Sequence, residues 1–319
     1  MSTLRHGILA LVLGTLASVS CTTSTDQGGS SLGERVPLAA RPFGAAVSSD
    51  GVAYVTQLDL GQLSRGNLPT QGFGNPVAVG SIPTEVVFNS AGTLAYVTNQ
   101  LSHNVGVVDV ASNTQIDVIP VTGDPFAVVV TPGDSIIYVT TNADSVYGIR
   151  LATKAVIVRL PMPATANGFL VRADTLLYIS TRAGGTVIEF NLRTRTVGRT
   201  FAVGGMPQKM VLSEDGNELY IANQGGYVQF WNLVTGAQIG VNVILPGSAG
   251  YAIARRPNTG QLYVTTAYFG GGKIFIIDPM TRTITRTDSA GGSTRQVAFS
   301  ADGTVGFVPN EGGWVDFLK

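Results

Sequence analysis

Short apolar runs separated by glycine-rich turns dominate the chain. The run Ala127–Val130, for example, is followed by Gly133 and Asp134 and then by the run Ile136–Val139. Short runs rich in valine, isoleucine, tyrosine and phenylalanine favour β-strands. Glycine and aspartate tolerate the positive φ of tight hairpin turns. Because the 3.6-residue apolar stripe of helices is absent, the pattern predicts an all-β chain.

A tyrosine-centred segment recurs along the chain at intervals of 40 to 44 residues. Its seven copies are centred on Tyr54, Tyr96, Tyr138, Tyr178, Tyr220, Tyr263 and Phe307. Four antiparallel strands in about forty residues are typical of one blade of a β-propeller. Helical armadillo repeats share this period but need helix-length apolar stripes, and parallel β-helices need shorter coils. The repeat therefore predicts a seven-bladed β-propeller with four-stranded antiparallel blades.

The two ends of the repeat region predict how the ring closes. The last repeat stops after its third strand, Trp314–Leu318, and no fourth strand follows. The segment Arg35–Ala39 precedes the first repeat and has no other partner. We expect it to supply the missing outer strand of the last blade, which would cover an otherwise open edge.

The first residues have the layout of an export signal. Arg5 and His6 precede an apolar run that covers residues 7–19. This run is too short for a permanent membrane span and is typical of a signal peptide. We therefore interpret residues 1–20 as a signal peptide. Cys21, the only cysteine of the chain, follows directly.

The sequence around Cys21 resembles a bacterial lipoprotein processing site, in which the cysteine is lipidated and becomes the new N-terminus. Ser18 departs from the leucine, valine or isoleucine that such sites prefer. Ordinary signal cleavage is the alternative, because Ser18 and Ser20 also satisfy the small-x-small rule. Thr22 stands where an aspartate typically retains lipoproteins in the inner membrane, so the expected location is the outer membrane or cell surface, otherwise the periplasm or outside the cell.

The rest of the chain divides into a tether and a ring. Residues 21–34 are polar and rich in glycine and serine, so we interpret them as the lipidated cysteine and a flexible tether. Residues 35–319 then form the propeller.

The repeated segments resemble the YVTN repeat family of bacterial β-propellers, and residues 96–99 match that motif literally. The similarity covers residues 41–319 and implies a secreted or surface-associated propeller with a scaffold or binding role. Related lactonase-like propellers include hydrolases. We expect each repeated tyrosine to pack between blades, and the threonine and asparagine after it to satisfy backbone groups of the following turn.

Composition narrows the chemistry. Twenty basic and twenty acidic residues give a formal net charge of zero, with no basic block, which disfavours sequence-independent nucleic-acid binding. Two histidines and one cysteine leave few ligands for zinc or copper, although a calcium site of carboxylates and carbonyls stays open. We predict no cofactor, no metal and a monomer.

A candidate site lies at one mouth of the central tunnel. The residues that follow the segments leading into the innermost strands should line this rim, together with the long loop between the second and third strands of the sixth repeat. The candidate residues are Glu85, Asn167, Gln208, Lys209, Tyr251, Arg295, Gln296, Tyr268 and Phe269. Two interpretations compete: a polar pocket in which Lys209 and Arg295 favour an anionic ligand, or a solvated mouth whose charges pair with each other.

Three functions are compatible with these features. The first is a non-catalytic, membrane-anchored scaffold that binds a protein, peptide or cell-envelope component at the tunnel mouth. The second is a lactonase-like hydrolase that uses Glu85 and His103. The third is DNA binding through Lys209 and Arg295. We favour the first function, which assigns no catalytic residue.

Overall fold

A computed structural model describes residues 30–143, 145–267 and 271–319. These residues form 28 strands in seven four-stranded antiparallel sheets, and no helix occurs among them. None of the described segments is therefore a helix that could cross a bilayer. The proposed signal peptide and Cys21 lie outside the described residues.

Each sheet is one blade, and its first strand lies next to the first strand of the neighbouring blade. From blade 1 to blade 7, the first strands are β2 Pro42–Val47, β6 Pro83–Phe88, β10 Pro125–Val130, β14 Ala166–Arg172, β18 Pro207–Leu212, β22 Gly250–Arg255 and β26 Ala298–Phe299. The second strands, which carry the repeated aromatic residue, are β3 Val52–Gln57, β7 Leu94–Asn99, β11 Ile136–Thr141, β15 Leu176–Thr181, β19 Glu218–Asn223, β23 Leu262–Thr266 and β27 Gly306–Asn310.

The outer half of each blade consists of its third and fourth strands. The third strands are β4 Gln62–Asn67, β8 Asn104–Asp109, β12 Ser145–Arg150, β16 Thr186–Asn191, β20 Tyr227–Asn232, β24 Lys273–Asp278 and β28 Trp314–Leu318. The fourth strands are β5 Gly72–Ala78, β9 Thr114–Pro120, β13 Val156–Pro161, β17 Thr196–Ala202, β21 Val243–Ile244, β25 Thr283–Ser289 and, in blade 7, β1 Leu32–Pro37.

The predicted ring closure is confirmed. The strand β1 pairs antiparallel with β28 and completes blade 7. Its bounds differ from the expected Arg35–Ala39, because pairing begins at Leu32 and ends at Pro37. The backbone N–H of Ser31 donates to the Asp288 carboxylate of blade 6 at 3.1 Å, which fixes the chain just before the strand. Residues 32–34, which the sequence interpretation placed in the tether, are thus part of the ring.

Seven apolar clusters fill the seven spaces between neighbouring blades. The repeated aromatic residues belong to these clusters, and Tyr54, Tyr178 and Phe307 are completely buried. Burying such a ring stabilises the fold by about 1.5–3 kcal/mol. The expected packing of the tyrosines between blades is therefore what the structure shows, and it accounts for their recurrence without any chemical role.

The junction of β1 and β28 is reinforced by Arg35. Its Nε lies 2.6 Å from Asp316 Oδ1, its Nη2 donates to the Ala290 carbonyl at 2.7 Å, and its guanidinium lies 4.4 Å from the centre of the Trp314 ring. Asp316 is buried and also accepts a hydrogen bond from Trp314 Nε1 at 2.9 Å.

We expect Asp316→Ala to lower the free energy of unfolding by about 2–4 kcal/mol, because it leaves the Arg35 and Trp314 donors without their buried acceptor. Urea denaturation followed by circular dichroism measures this change. Glu34→Ala, on the same strand but exposed, is the control and should leave the midpoint unchanged. An unchanged midpoint for Asp316→Ala would show that the junction does not hold the ring.

Candidate functional site

A bulge in the innermost strands creates the tunnel mouth. The pairing of the first and second strands shifts register directly after the leading proline in blades 1, 2, 3 and 5, for example between Pro42 and Ala45. A bulge bends its strand and re-aims side chains. The side chains of residues inside these bulges, such as Phe43 and Lys209, therefore lie at the mouth.

The repeated threonine stabilises this bulge. Thr56 Oγ1 accepts a hydrogen bond from the Gly44 N–H at 2.7 Å, and Thr140 Oγ1 accepts one from the Ala127 N–H at 2.9 Å. The threonine thus satisfies the inner strand, and the expectation that it serves the following turn is wrong. The repeated asparagine does serve the turn: Asn223 Oδ1 accepts the Gly225 N–H at 2.8 Å.

Three aromatic rings meet in the mouth. Phe43 lies edge-on to Phe126 with ring centres 6.3 Å apart, and edge-on to Tyr251 at 6.2 Å. These residues come from blades 1, 3 and 6, which are not neighbours in the ring. Their contacts therefore cross the tunnel at this level. Tyr251 is 6% exposed, and burial raises the pKa of its phenol above the ordinary value.

A second contact across the tunnel is ionic. Lys209 Nζ of blade 5 donates to Glu85 Oε2 of blade 2. Their side chains are only 12% and 14% exposed. Blades 2 and 5 are separated by two others in a ring of seven, so this pair links opposite walls.

Arg295 of blade 7 also contacts the aromatic residues of the mouth. Its guanidinium lies 4.8 Å from the centre of the Tyr251 ring and 5.4 Å from that of Phe43, and its Nε donates to Glu311 Oε1. The Glu311 carboxylate is 4% exposed and also accepts Arg41 Nη2 at 2.6 Å. One buried carboxylate thus holds two arginines.

The amide residues form a separate contact. Asn167 Nδ2 donates to Gln208 Oε1, and both residues are buried. Gln296 follows Arg295 in the chain and is half-buried. Tyr268 and Phe269 lie outside the described residues.

The two cations that the sequence singles out are therefore paired within the mouth. Lys209 and Arg295, considered as ligands for an anion, each have a carboxylate partner. Neither Glu311 nor Arg41 is among the residues predicted from the sequence. Phe43 and Phe126 follow the leading prolines and are predicted to line the rim, although the candidate site residues do not include them. Glu311 directly follows the last repeated asparagine, in a loop of the mouth face.

The residues of the hydrolase hypothesis do not meet. His103 Nδ1 lies 3.1 Å from Asp124 Oδ1 and 3.0 Å from the Gly123 carbonyl, and its side chain is 57% exposed. Glu85 is instead engaged by Lys209. Among the described residues, no three histidine, cysteine, aspartate or glutamate side chains are grouped to hold a metal ion.

Solved structures share this architecture. Hydrazine synthase of Kuenenia stuttgartiensis is 16% identical, with a TM-score of 0.77 over 91% of this chain and 98% of that chain. A chain described under "Crystal Structure of Mitotic Checkpoint Complex" is 14% identical, with a TM-score of 0.78 over 99% of both chains. The fold is a seven-bladed β-propeller. No family model matches this propeller, and no curated protein matches it significantly.

We expect Lys209→Met and Glu85→Gln each to lower the free energy of unfolding by about 2–3 kcal/mol, since each leaves the other group buried without its partner. The double variant should lose less unfolding free energy than the two single variants together. Urea denaturation should give a coupling energy of about 1–3 kcal/mol between the two residues.

Lys154 and Asp117 provide the matched control, because they pair at 2.6 Å but are 40% and 44% exposed. Lys154→Met and Asp117→Asn should show a much smaller coupling. Equal coupling energies for the two pairs would mean that the pair across the tunnel stabilises the fold no more than an exposed ion pair does.

Proposed function

We propose that this propeller is a non-catalytic binding scaffold of the cell envelope, similar to the YVTN repeat proteins, and that it binds a protein or peptide partner at the tunnel mouth face. This face consists of the loops between second and third strands and the segments leading into the first strands. The proposal follows the repeats, since residues that differ between blades converge here while the repeated ones pack the core.

The observation that carries the proposal is that exposed apolar side chains surround a mouth crossed by contacts between blades. Leu60, Leu101 and Met206 lie on the mouth face and are 56%, 59% and 40% exposed. A groove of about 560 Å³ runs beside Leu60 and is also lined by Ser81, whose carbonyl accepts the Leu101 N–H at 3.2 Å. A mouth crossed by contacts between blades and surrounded by apolar anchors suits a protein better than a small molecule.

The two structural relatives support the fold of such a scaffold and leave the activity open. One is named for an enzyme, hydrazine synthase, and the other belongs to a structure described as a complex. Participation in a complex agrees with a partner-binding role. The pairing of His103 with Asp124 rather than with Glu85 gives the hydrolase alternative no support.

Partner binding at the mouth face can be tested with the double variant Leu60→Lys and Leu101→Lys. The processed chain is immobilised and exposed to an envelope extract of its own organism, from which it should retain a defined partner. The double variant should retain at least about tenfold less of that partner, because a charge buried in an apolar contact is unfavourable. Quantitative mass spectrometry of the bound fraction measures the change.

Val156→Lys combined with Val197→Lys is the control, since both residues are exposed on outer strands. Equal loss in both double variants would contradict binding at the mouth face. Metal-dependent turnover of a lactone that disappears in Glu85→Ala would contradict the scaffold proposal and favour a hydrolase.

Anchoring through Cys21 belongs to the same proposal and rests on the apolar leader, the lone cysteine and the polar segment after it. We expect Cys21→Ser to move the protein from the membrane fraction to the soluble fraction after cell lysis, because the acyl chains would be lost. Ser20→Ala, adjacent and neutral to lipidation, should leave the distribution unchanged. Soluble wild-type protein would contradict the anchor.

A further inference from the structure

A cleft of about 880 Å³ lies between blades 5 and 6 on the face opposite the tunnel mouth. Its walls are the β18–β19 turn, the β22–β23 turn and the β24–β25 turn. Turns between first and second strands and between third and fourth strands alternate with the mouth loops, so all three lie at the far end of the ring. This cleft is independent of the proposed function.

The cleft carries an excess of negative charge. Glu214, Asp215, Glu218 and Asp278 line it, and Arg255 is the one basic residue in its lining. Arg255 Nη1 lies 3.1 Å from Glu214 Oε2, and the Glu214 side chain is 85% exposed. Because the whole chain has a formal net charge of zero, this local excess is not a consequence of overall composition.

The carboxylates are held in place by their own turns. Ser213 Oγ donates to Asp215 at 2.6 Å and the Asn217 N–H donates at 3.0 Å, and these hydrogen bonds lower the pKa of Asp215 to about 2. The Met280 N–H donates to Asp278 at 2.8 Å. Both carboxylates are therefore oriented before any ligand arrives, which reduces the entropic cost of binding.

Apolar groups complete the lining. Tyr220 is buried, whereas Met280 is 85% exposed beside Pro279. The described carboxylates do not converge into a group that could hold a single metal ion. A partner must therefore offer positive charge spread over several positions together with apolar surface.

We propose that this cleft binds a basic segment of a partner protein, with arginine or lysine side chains. The aliphatic stems of such side chains pack on apolar surface while their cations reach carboxylates, which is the combination that Met280, Pro279 and the acidic turns offer. The opposite sign of cleft and segment speeds and orients their encounter.

The test uses a fluorescein-labelled hexapeptide of alternating arginine and leucine and the full processed chain. Fluorescence anisotropy should show binding at low salt that weakens as sodium chloride is raised. Glu214→Lys combined with Met280→Lys should weaken binding by at least about tenfold, which corresponds to about 1.4 kcal/mol. Both side chains are 85% exposed, so the fold should be unaffected.

Glu34→Lys combined with Val156→Lys makes the same change of charge at exposed positions on other blades and should bind like the wild type. Leu60→Lys combined with Leu101→Lys, which tests the mouth face, should also leave the peptide affinity unchanged. Equal weakening in the Glu34 control, or equal binding of a peptide with glutamine in place of arginine, would overturn the cleft as a site for basic segments.

Discussion

The pairing of β1 with β28 is the constraint on which the rest of the molecule depends. Each blade buries its apolar faces only against its neighbours, so a ring with one open junction would expose two such faces. Pairing the start of the described chain with its last strand removes that junction and joins both ends in one sheet. Arg35 lies opposite Asp316 in this pairing, and their ion pair joins an exposed guanidinium to a buried carboxylate.

Once the ring is closed, its diameter decides which side chains meet across the tunnel. Glu85 and Lys209 face each other because seven blades place blades 2 and 5 on opposite walls. Removing two charges from water costs several kcal/mol per ion, so such a pair adds less to stability than its Coulomb energy. Replacing either residue alone would leave the other charge buried and unpaired, which destabilises the fold more than replacing both.

The sequence was sufficient for the repeated architecture, although it misplaced the hydrogen bonds of the repeated threonine. The period, the buried tyrosines and the unpaired strands at the two ends predict the seven blades and their closure. The mouth was predictable only as a set of positions. That Glu311 would hold both Arg41 and Arg295 depends on blades brought together by ring closure, and no local pattern contains that information. The pairing of His103 with Asp124 rather than with Glu85 depends on how two loops of neighbouring blades approach each other, which the spacing does not show.

The two faces of the ring differ in how their charged residues are paired. This difference determines which kind of partner each face could bind. At the mouth the pairs Glu85–Lys209 and Arg295–Glu311 are neutralised and nearly buried, so a partner would gain little from them and would rely on apolar side chains such as Leu60 and Leu101. In the cleft between blades 5 and 6, Asp215 and Asp278 are bound by their own turns, and four carboxylates share the lining with Arg255. Long-range attraction therefore acts on one face and shape complementarity on the other. Since the faces lie at opposite ends of the ring, occupancy of one leaves the other accessible.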